Sequence, residues 1–520
     1  MTDGNPTAGG RMRRPEAWVR DCPDKPAVVD GERTLTWREW NSAADRLADW
    51  LDRTVPDNPV AAVYLHSRVE WFVVNLALAK LDRQQVAVNW RLSVSEVRHV
   101  LADSGAGVLF LDAPDPLAGA RLCEGLDTLA VPLRGDGAGV DLPTAIRLGR
   151  DTPRVSTGRA RPVIYTSGTT GRPKGVVKAN GRDDTAPPAV LAYLAARRRR
   201  YPATADNRTL VSLPLHHGAG EGQAQRALAA GGTVYLMDRF DPEGALELIQ
   251  RHRITEWSTV PTMLFRLRAL PAEVLERYDV SSLERVGVGG ASVPYALKDW
   301  AIDFFGEGRL HEAYGATEVG TITSMPPHLH REKPYSCGKA LDLVELRVVD
   351  RQGNTVPAGT EGELQVRTPL TIDRYVGGPE LGGDDLTEDG FFRVGDLGRL
   401  DEDGFLYVTG RAKDMVVSGG VNIYPAEVEQ ALRECPGVVD AAVVGVPDEE
   451  MGELVVAYCE VGPGSDLTRE ALLEHAAERL AAFKLPRRVH LVPELPRNAM
   501  LKVVKNTLRA WAAEEPESAR

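Results

Sequence analysis

Residues Tyr165 to Gly175 read YTSGTTGRPKG and follow directly on the apolar pair Val163-Ile164. Thr166, Ser167, Thr169 and Thr170 put four hydroxyls into this stretch, Gly168, Gly171 and Gly175 three glycines, and Lys174 a full positive charge. A short apolar run passing into such a segment predicts a strand that ends in a polar, flexible loop. Glycines let successive backbone amides turn toward an anion, while the hydroxyls and the lysine add donors and charge, so the ligand this loop suits is a polyphosphate. No G-x-x-x-x-G-K-[ST] pattern occurs anywhere in the chain, and Gly338-Lys339 lacks the upstream glycine, which excludes a Walker-type hydrolase.

Composition bounds the rest. At 520 residues, 43% hydrophobic and 26% charged, the chain is expected to be globular and to divide into two or more domains. A net charge of -12 argues against a general nucleic-acid binder, which needs a basic footprint. An anionic substrate therefore needs a local basic site. Cys22, Cys123, Cys337, Cys435 and Cys459 show no paired spacing, so neither a zinc site nor a disulfide framework is expected, and reduced thiols in a cytoplasmic protein are. No signal-like start and no long apolar run predicts secretion or a membrane span.

Around the opening stretch the pattern alternates. A hairpin at Asp30-Gly31, helices near Asn41 to Leu51, Val69 to Ala79 and Val94 to Asp103, and strands near Val60 to Leu65, Gln85 to Val88 and Gly107 to Leu111 predict an α/β sheet covered by helices. Asp112 to Ser156, rich in Gly, Pro and Asp, is the least informative part. Ala195 to Arg200 (AARRRR) is expected to be a solvated helix end. Thr209 to Pro214 reads as a strand leading to His216-His217, and since neighbours on a strand face opposite ways, one histidine is expected to be structural.

Glu221 to Arg226 is either the polar wall of an acid-binding pocket or the solvent face of a helix. The turn Gly289-Gly290-Ala291-Ser292 lets backbone approach a flat ligand, but it fails the dinucleotide pattern. In Leu310 to Glu318, LHEAYGATE, the adjacent Thr317 and Glu318 suit a phosphoryl oxygen and its Mg²⁺. Phe391 to Asp396 predicts a strand ending in a carboxylate, suited to ribose hydroxyls or to an ordinary β-turn.

In this order and spacing, from about Pro26 to Arg509, the motifs resemble those of the adenylate-forming superfamily of acyl- and aryl-CoA ligases, peptide-synthetase adenylation domains and luciferases. The resemblance implies an α/β fold with a large N-terminal domain of layered sheets and helices (1–410), a hinge (411–413) at Lys413, and a small mobile C-terminal α/β domain (414–520). It implies ATP and Mg²⁺, with Thr166, Ser167, Gly168, Thr169, Thr170, Gly171 and Lys174 on the phosphates. Gly290, Ala291, Glu312 and Tyr314 are then nucleotide-binding, Thr317 meets the α-phosphate, and Glu318 holds the metal. Asp396 and Arg411 fix the ribose, His217 lines the acyl pocket, and Gly419 and Gly420 border the acceptor tunnel. LPRNAMLK, Leu495 to Lys502, resembles the family's terminal loop and makes Lys502 the catalytic lysine.

Two residues depart from the pattern. Leu501 stands where the family has glycine, and because leucine does not readily take positive φ, a loop of different shape is expected. Asn180 replaces a histidine. The expected activity is formation of an acyl-adenylate from a small, aryl or polar acid and its transfer to CoA. A freestanding adenylating enzyme with an amine or carrier acceptor, including a nitrite-activating type, is the alternative, and a non-catalytic nucleotide-binding regulator is the alternative of another class.

Overall fold

Strands that are apolar on both faces need helices on both sides. Val60–Tyr64, Gln84–Ala87 and Val108–Leu111 are of this kind in the computed structural model. The structure describes residues 13–31, 33–112, 117–135, 139–156, 161–167, 173–177, 186–372, 374–378, 380–419, 421–462 and 464–514. The three strands belong to a six-stranded sheet ordered Leu129–Pro132, Val108–Leu111, Val60–Tyr64, Gln84–Ala87, Arg161–Ser167, Pro173–Val177. Neighbours are parallel except in the last pair, a hairpin with Thr166 opposite Lys174. The strand predicted ahead of the polar loop is thus present. Residues 168–172 and Asn180 lie outside the described residues.

A nine-stranded sheet lies beside it, ordered Lys339–Ala340, Gly320–Ser324, Leu310–Ala316, Arg285–Gly289, Glu256–Thr259, Arg208–Val211, Thr233–Leu236, Pro26–Asp30, Arg33–Thr36. Its middle is parallel and both edges are antiparallel. One apolar cluster joins the two sheets through the helices Trp37–Thr54, Val69–Lys80 and Gly218–Ala229. Thr36 and Ser93 start two helices with capping boxes to Glu39 and Glu96. The segment that was least informative in sequence holds helices Ala118–Cys123 and Leu142–Leu148 around the strand Leu129–Pro132. Each is too short to show a period.

A four-stranded antiparallel sheet follows, and its last strand, Leu406–Arg411, ends at the predicted hinge. One turn of 3₁₀ helix, Ala412–Asp414, leads into Val416–Ser418, which belongs to another sheet. That C-terminal sheet pairs Val438–Asp448 with Gly452–Val461 and carries a separate apolar cluster on each side. The chain is therefore a large α/β body followed by a smaller one. Among the described residues no helix is long and apolar enough to cross a membrane.

Leu501 corrects an expectation. It takes φ of +57° despite its side chain, at a cost of roughly 1–2 kcal/mol. Several contacts hold it there. Its N–H donates to the Asn498 carbonyl at 2.9 Å. Its carbonyl accepts from Thr262 Oγ1 at 3.0 Å and Arg497 Nη1 at 3.2 Å. Its side chain packs with Leu213, Val260 and Met263. The glycine-like loop survives because tertiary contacts outweigh the local strain.

Candidate active site

The loop that carries Lys502 is fastened at both ends. Arg497 donates through Nη2 to Asp440 and Glu460 of the C-terminal sheet, 2.8 Å each, and through Nη1 to Thr262 of the large body at 3.1 Å. The Lys502 N–H donates to Asn498 Oδ1 at 3.0 Å. The lysine side chain is thereby laid on the Gly289-Gly290 turn, where a Cβ added to Gly290 would sit 3.6 Å from Lys502 Cε and 3.8 Å from Nζ. Gly290 has φ of +81°, so glycine supplies both the turn and the open face. Burial, then the nearby Arg411, pulls the Lys502 pKa down, while Asp396 opposes them.

Asp396 and Arg411 face each other across neighbouring antiparallel strands. Arg411 Nε lies 2.7 Å from Asp396 Oδ1, and the Tyr314 hydroxyl donates to Oδ2. Burial raises the Asp396 pKa against the opposing pull of Arg411 and Tyr314. Thr317 and Glu318 occupy the tight turn between Leu310–Ala316 and Gly320–Ser324 and line the same cleft, of about 1780 Å³, as Lys502, Gly290, His217, Lys174, Arg411 and Lys413. Lys174 Nζ lies 5.1 Å above the Tyr375 ring.

His217 precedes the helix Gly218–Ala229, and burial followed by Lys502 lowers its pKa to about 4. It is thus neutral at physiological pH. The strand before it stops at Val211, so strand alternation does not separate the two histidines. Their rings are 4.5 Å apart, yet only His217 lines the cleft while His216 is buried.

Glu312, expected at the nucleotide, and Gly419, expected at the acceptor tunnel, both lie outside this cleft. Glu312 is turned to the opposite face of its sheet, 2.7 Å from Lys298 Nζ, both buried. Gly419 takes φ of +57° against Met451 and does not line the cleft. Ala291 is exposed at the turn beside Gly290. Gly168, Thr169, Thr170, Gly171 and Gly420 fall outside the described residues, as do the side chains of Thr166 and Ser167.

The polar stretch Glu221 to Arg226 proves to be a wall of the cleft, not a solvent face. Sequence reading passed over Arg285 and His311, which share it. Their signal was present, since Arg285, Gly287 and Gly289 alternate with buried valines along one strand. Ala195 to Arg200 is solvated only at Arg199 and Arg200, while Arg197 and Arg198 line the cleft.

Among the described residues no cluster of three or more His, Cys, Asp or Glu is placed to hold a metal. A single carboxylate beside a phosphate site nevertheless fits Mg²⁺, which takes one or two protein carboxylates and completes its shell with phosphate oxygens and water.

A two-body α/β chain whose C-terminal lysine closes on a nucleotide-sized cleft in the larger body defines an enzyme that acts on a nucleotide-activated substrate. The chain belongs to the AMP-binding enzyme family, with residues 15–376 matching the model of that family and 427–502 that of its C-terminal domain. It is 34% identical over 512 residues to the indoleacetate–CoA ligase of Aromatoleum aromaticum, covering 94% of this chain and 96% of the relative. Its fold matches the o-succinylbenzoate CoA synthetase of Bacillus subtilis, solved with its acyl-adenylate intermediate, at a TM-score of 0.80 and 29% identity over 95% of this chain and 97% of that one. The amide bond synthetase McbA of Marinactinospora thermotolerans matches at 0.81 and 30%, over 96% and 99%.

Proposed function

We propose that the chain is an ATP-dependent, AMP-forming acid–CoA ligase. An oxygen of the acid's carboxylate attacks the α-phosphorus of ATP, pyrophosphate leaves, and the acyl-adenylate then yields its acyl group to the CoA thiol with release of AMP. The observation that carries this reading is Lys502 lying against Gly290 beside the Asp396–Arg411 pair. A cation delivered there neutralises the charge that develops between carboxylate and α-phosphate.

Thr317 donates to the α-phosphate, Lys174 pairs with the outer phosphates, and Asp396 with Arg411 orients the ribose. Tyr314 fixes Asp396 and flanks the adenine. Neutral His217 borders the acid without repelling Lys502. Mg²⁺, held through Glu318, supplies further neutralisation of the phosphates when bound. Residues 414–520 turn about Lys413 after adenylation, so that the loop bearing Gly419 and Gly420 replaces Lys502 and admits the acceptor. Five free thiols suit a cytoplasmic setting.

An amine acceptor is the second reading, favoured by the Leu501 anchorage, which holds the adenylating arrangement in place. Mass spectrometry of products formed from ATP, a panel of small and aryl acids including nitrite, and either CoA or an aryl amine decides between them. A CoA thioester is expected. AMP formed with an amide or diazo product and no thioester would overturn the CoA reading, and no AMP with any acid would favour a nucleotide-binding regulator.

A further inference from the structure

One part of the cleft wall is basic. Glu256 and Arg285 stand side by side in register at the start of neighbouring parallel strands. Arg226 descends from the helix Gly218–Ala229 onto the same Glu256 oxygen, which Arg285 Nη1 approaches at 3.4 Å. Arg285 also lies over the Tyr201 ring, 4.1 Å from its centroid. Two guanidiniums therefore share one carboxylate oxygen, and Arg197 adds a third beside them.

Their hydrogen-bonding capacity is not used up. Arg226 Nη1, Arg285 Nε and Arg197 Nε are buried without a hydrogen-bond partner, and Arg285 Nη1 has only the long contact to Glu256. Burial first, then Arg285 and Arg197, pushes the Arg226 pKa down to about 9, and burial pushes Arg285 down to about 10. Both remain cationic at neutral pH. His311, held down to about 3 by burial and then Arg285, stays neutral and offers no counter-charge. Glu221, buried five residues earlier on the helix of Arg226, also lines the cleft and adds a second carboxylate. Arg197, Arg226 and Arg285 are half-buried, and three guanidiniums against the carboxylates of Glu256 and Glu221 leave a cationic excess that an anion would satisfy.

The spacing sets its size. Arg226 is about 12 Å further along the helix than Gly218, which follows His217. Arg285 is about 13 Å down its strand from Gly289, which adjoins the Lys502 contact. Between the two ends the wall is made of Ser258, Gly287 and Ala313, small residues that leave room for a flat or extended body.

We infer that the acid this enzyme activates is a dianion, with a second carboxylate or similarly compact anion roughly 10 Å from the carboxyl group that is adenylated, received by Arg226 and Arg285. The inference rests on the ligase reading and deepens it. The bidentate geometry of a guanidinium suits a carboxylate, and leaving either cation unpaired disfavours a monoacid of the same skeleton.

The test compares 4-phenylbutanoate with 4-(4-carboxyphenyl)butanoate as probes, by acid-dependent pyrophosphate release and, separately, by calorimetric binding to the protein without ATP. The diacid is expected to win by about 100-fold in kcat/KM and in affinity, Arg285→Gln to bring the ratio near one, and Arg285→Lys to restore part of it. A wild-type ratio near one, or Arg285→Gln weakening both acids equally, overturns the inference. Diacid-selective binding with no pyrophosphate release would overturn the ligase reading instead and keep the anion site.

Discussion

Along the strands Glu256–Thr259, Arg285–Gly289 and Leu310–Ala316 of the nine-stranded sheet, alternate residues build two faces of opposite character. On one face Leu210, Trp257, Val286, Val288 and Leu310 enter a single apolar cluster with the helices Pro242–His252, Pro261–Arg268 and Tyr295–Phe305. On the other, Thr209, Glu256, Ser258, Arg285, Gly287, Gly289, His311 and Ala313 present polar or small side chains, while further along the sheet Val211, Val234 and Leu236 enter the cluster shared with the six-stranded sheet. Strand alternation makes this division possible, because a residue can be exchanged on one face without disturbing packing on the other. At these strands the first face is apolar core and the second lines the cleft.

The comparison breaks most readily on the apolar face. Trp257→Ala and Glu312→Ala should each lower stability by about 3–5 kcal/mol, the first by opening a large cavity and the second by leaving buried Lys298 unpaired. Denaturant titration measures this. The KM for ATP of the folded fraction should stay near that of the wild type, and a rise of tenfold or more in Glu312→Ala would return that carboxylate to the nucleotide site.

A smaller effect links both faces to pH. His311 on the polar face and His330 beside Glu312 have pKa values held down to about 3 and about 4, both mainly by burial, from an ordinary 6.5. The unfolded chain then binds protons that the native state refuses, so stability is full above about pH 6.5 and falls as pH drops toward 4, on the order of 1 kcal/mol per pH unit for each group. Unfolding midpoints measured from pH 7 to 4 should decline less steeply in His311→Gln and in His330→Gln. An unchanged acid limb in both variants would show that neither ring is held neutral.

Much of this was legible in advance. The alternation of the first hundred residues predicted an α/β sheet covered by helices, and the apolar run at Val163-Ile164 predicted a strand before the hydroxyl-rich loop, because both depend on local pattern. Glu312 was misread because a motif names a residue without saying which way its strand turns, and Lys298, its partner, arrives from a separate helix. Arg285, Arg226 and Arg197 come from three segments, and nothing local marks their convergence on Glu256. Leu501 was misread in the opposite sense. Its local preference was judged correctly, but Thr262, Arg497 and the apolar contacts with Leu213 and Val260 override it.

The central claim is that Lys502, carried by the smaller body, completes the adenylation chemistry at the Gly290 turn. Acid-dependent exchange of labelled pyrophosphate into ATP, compared between the wild type and Lys502→Ala of equal denaturation midpoint, tests it most directly. The account predicts a loss of about 10²–10³-fold, the magnitude of one preorganised charge-stabilising group. Exchange at the wild-type rate in Lys502→Ala would contradict it.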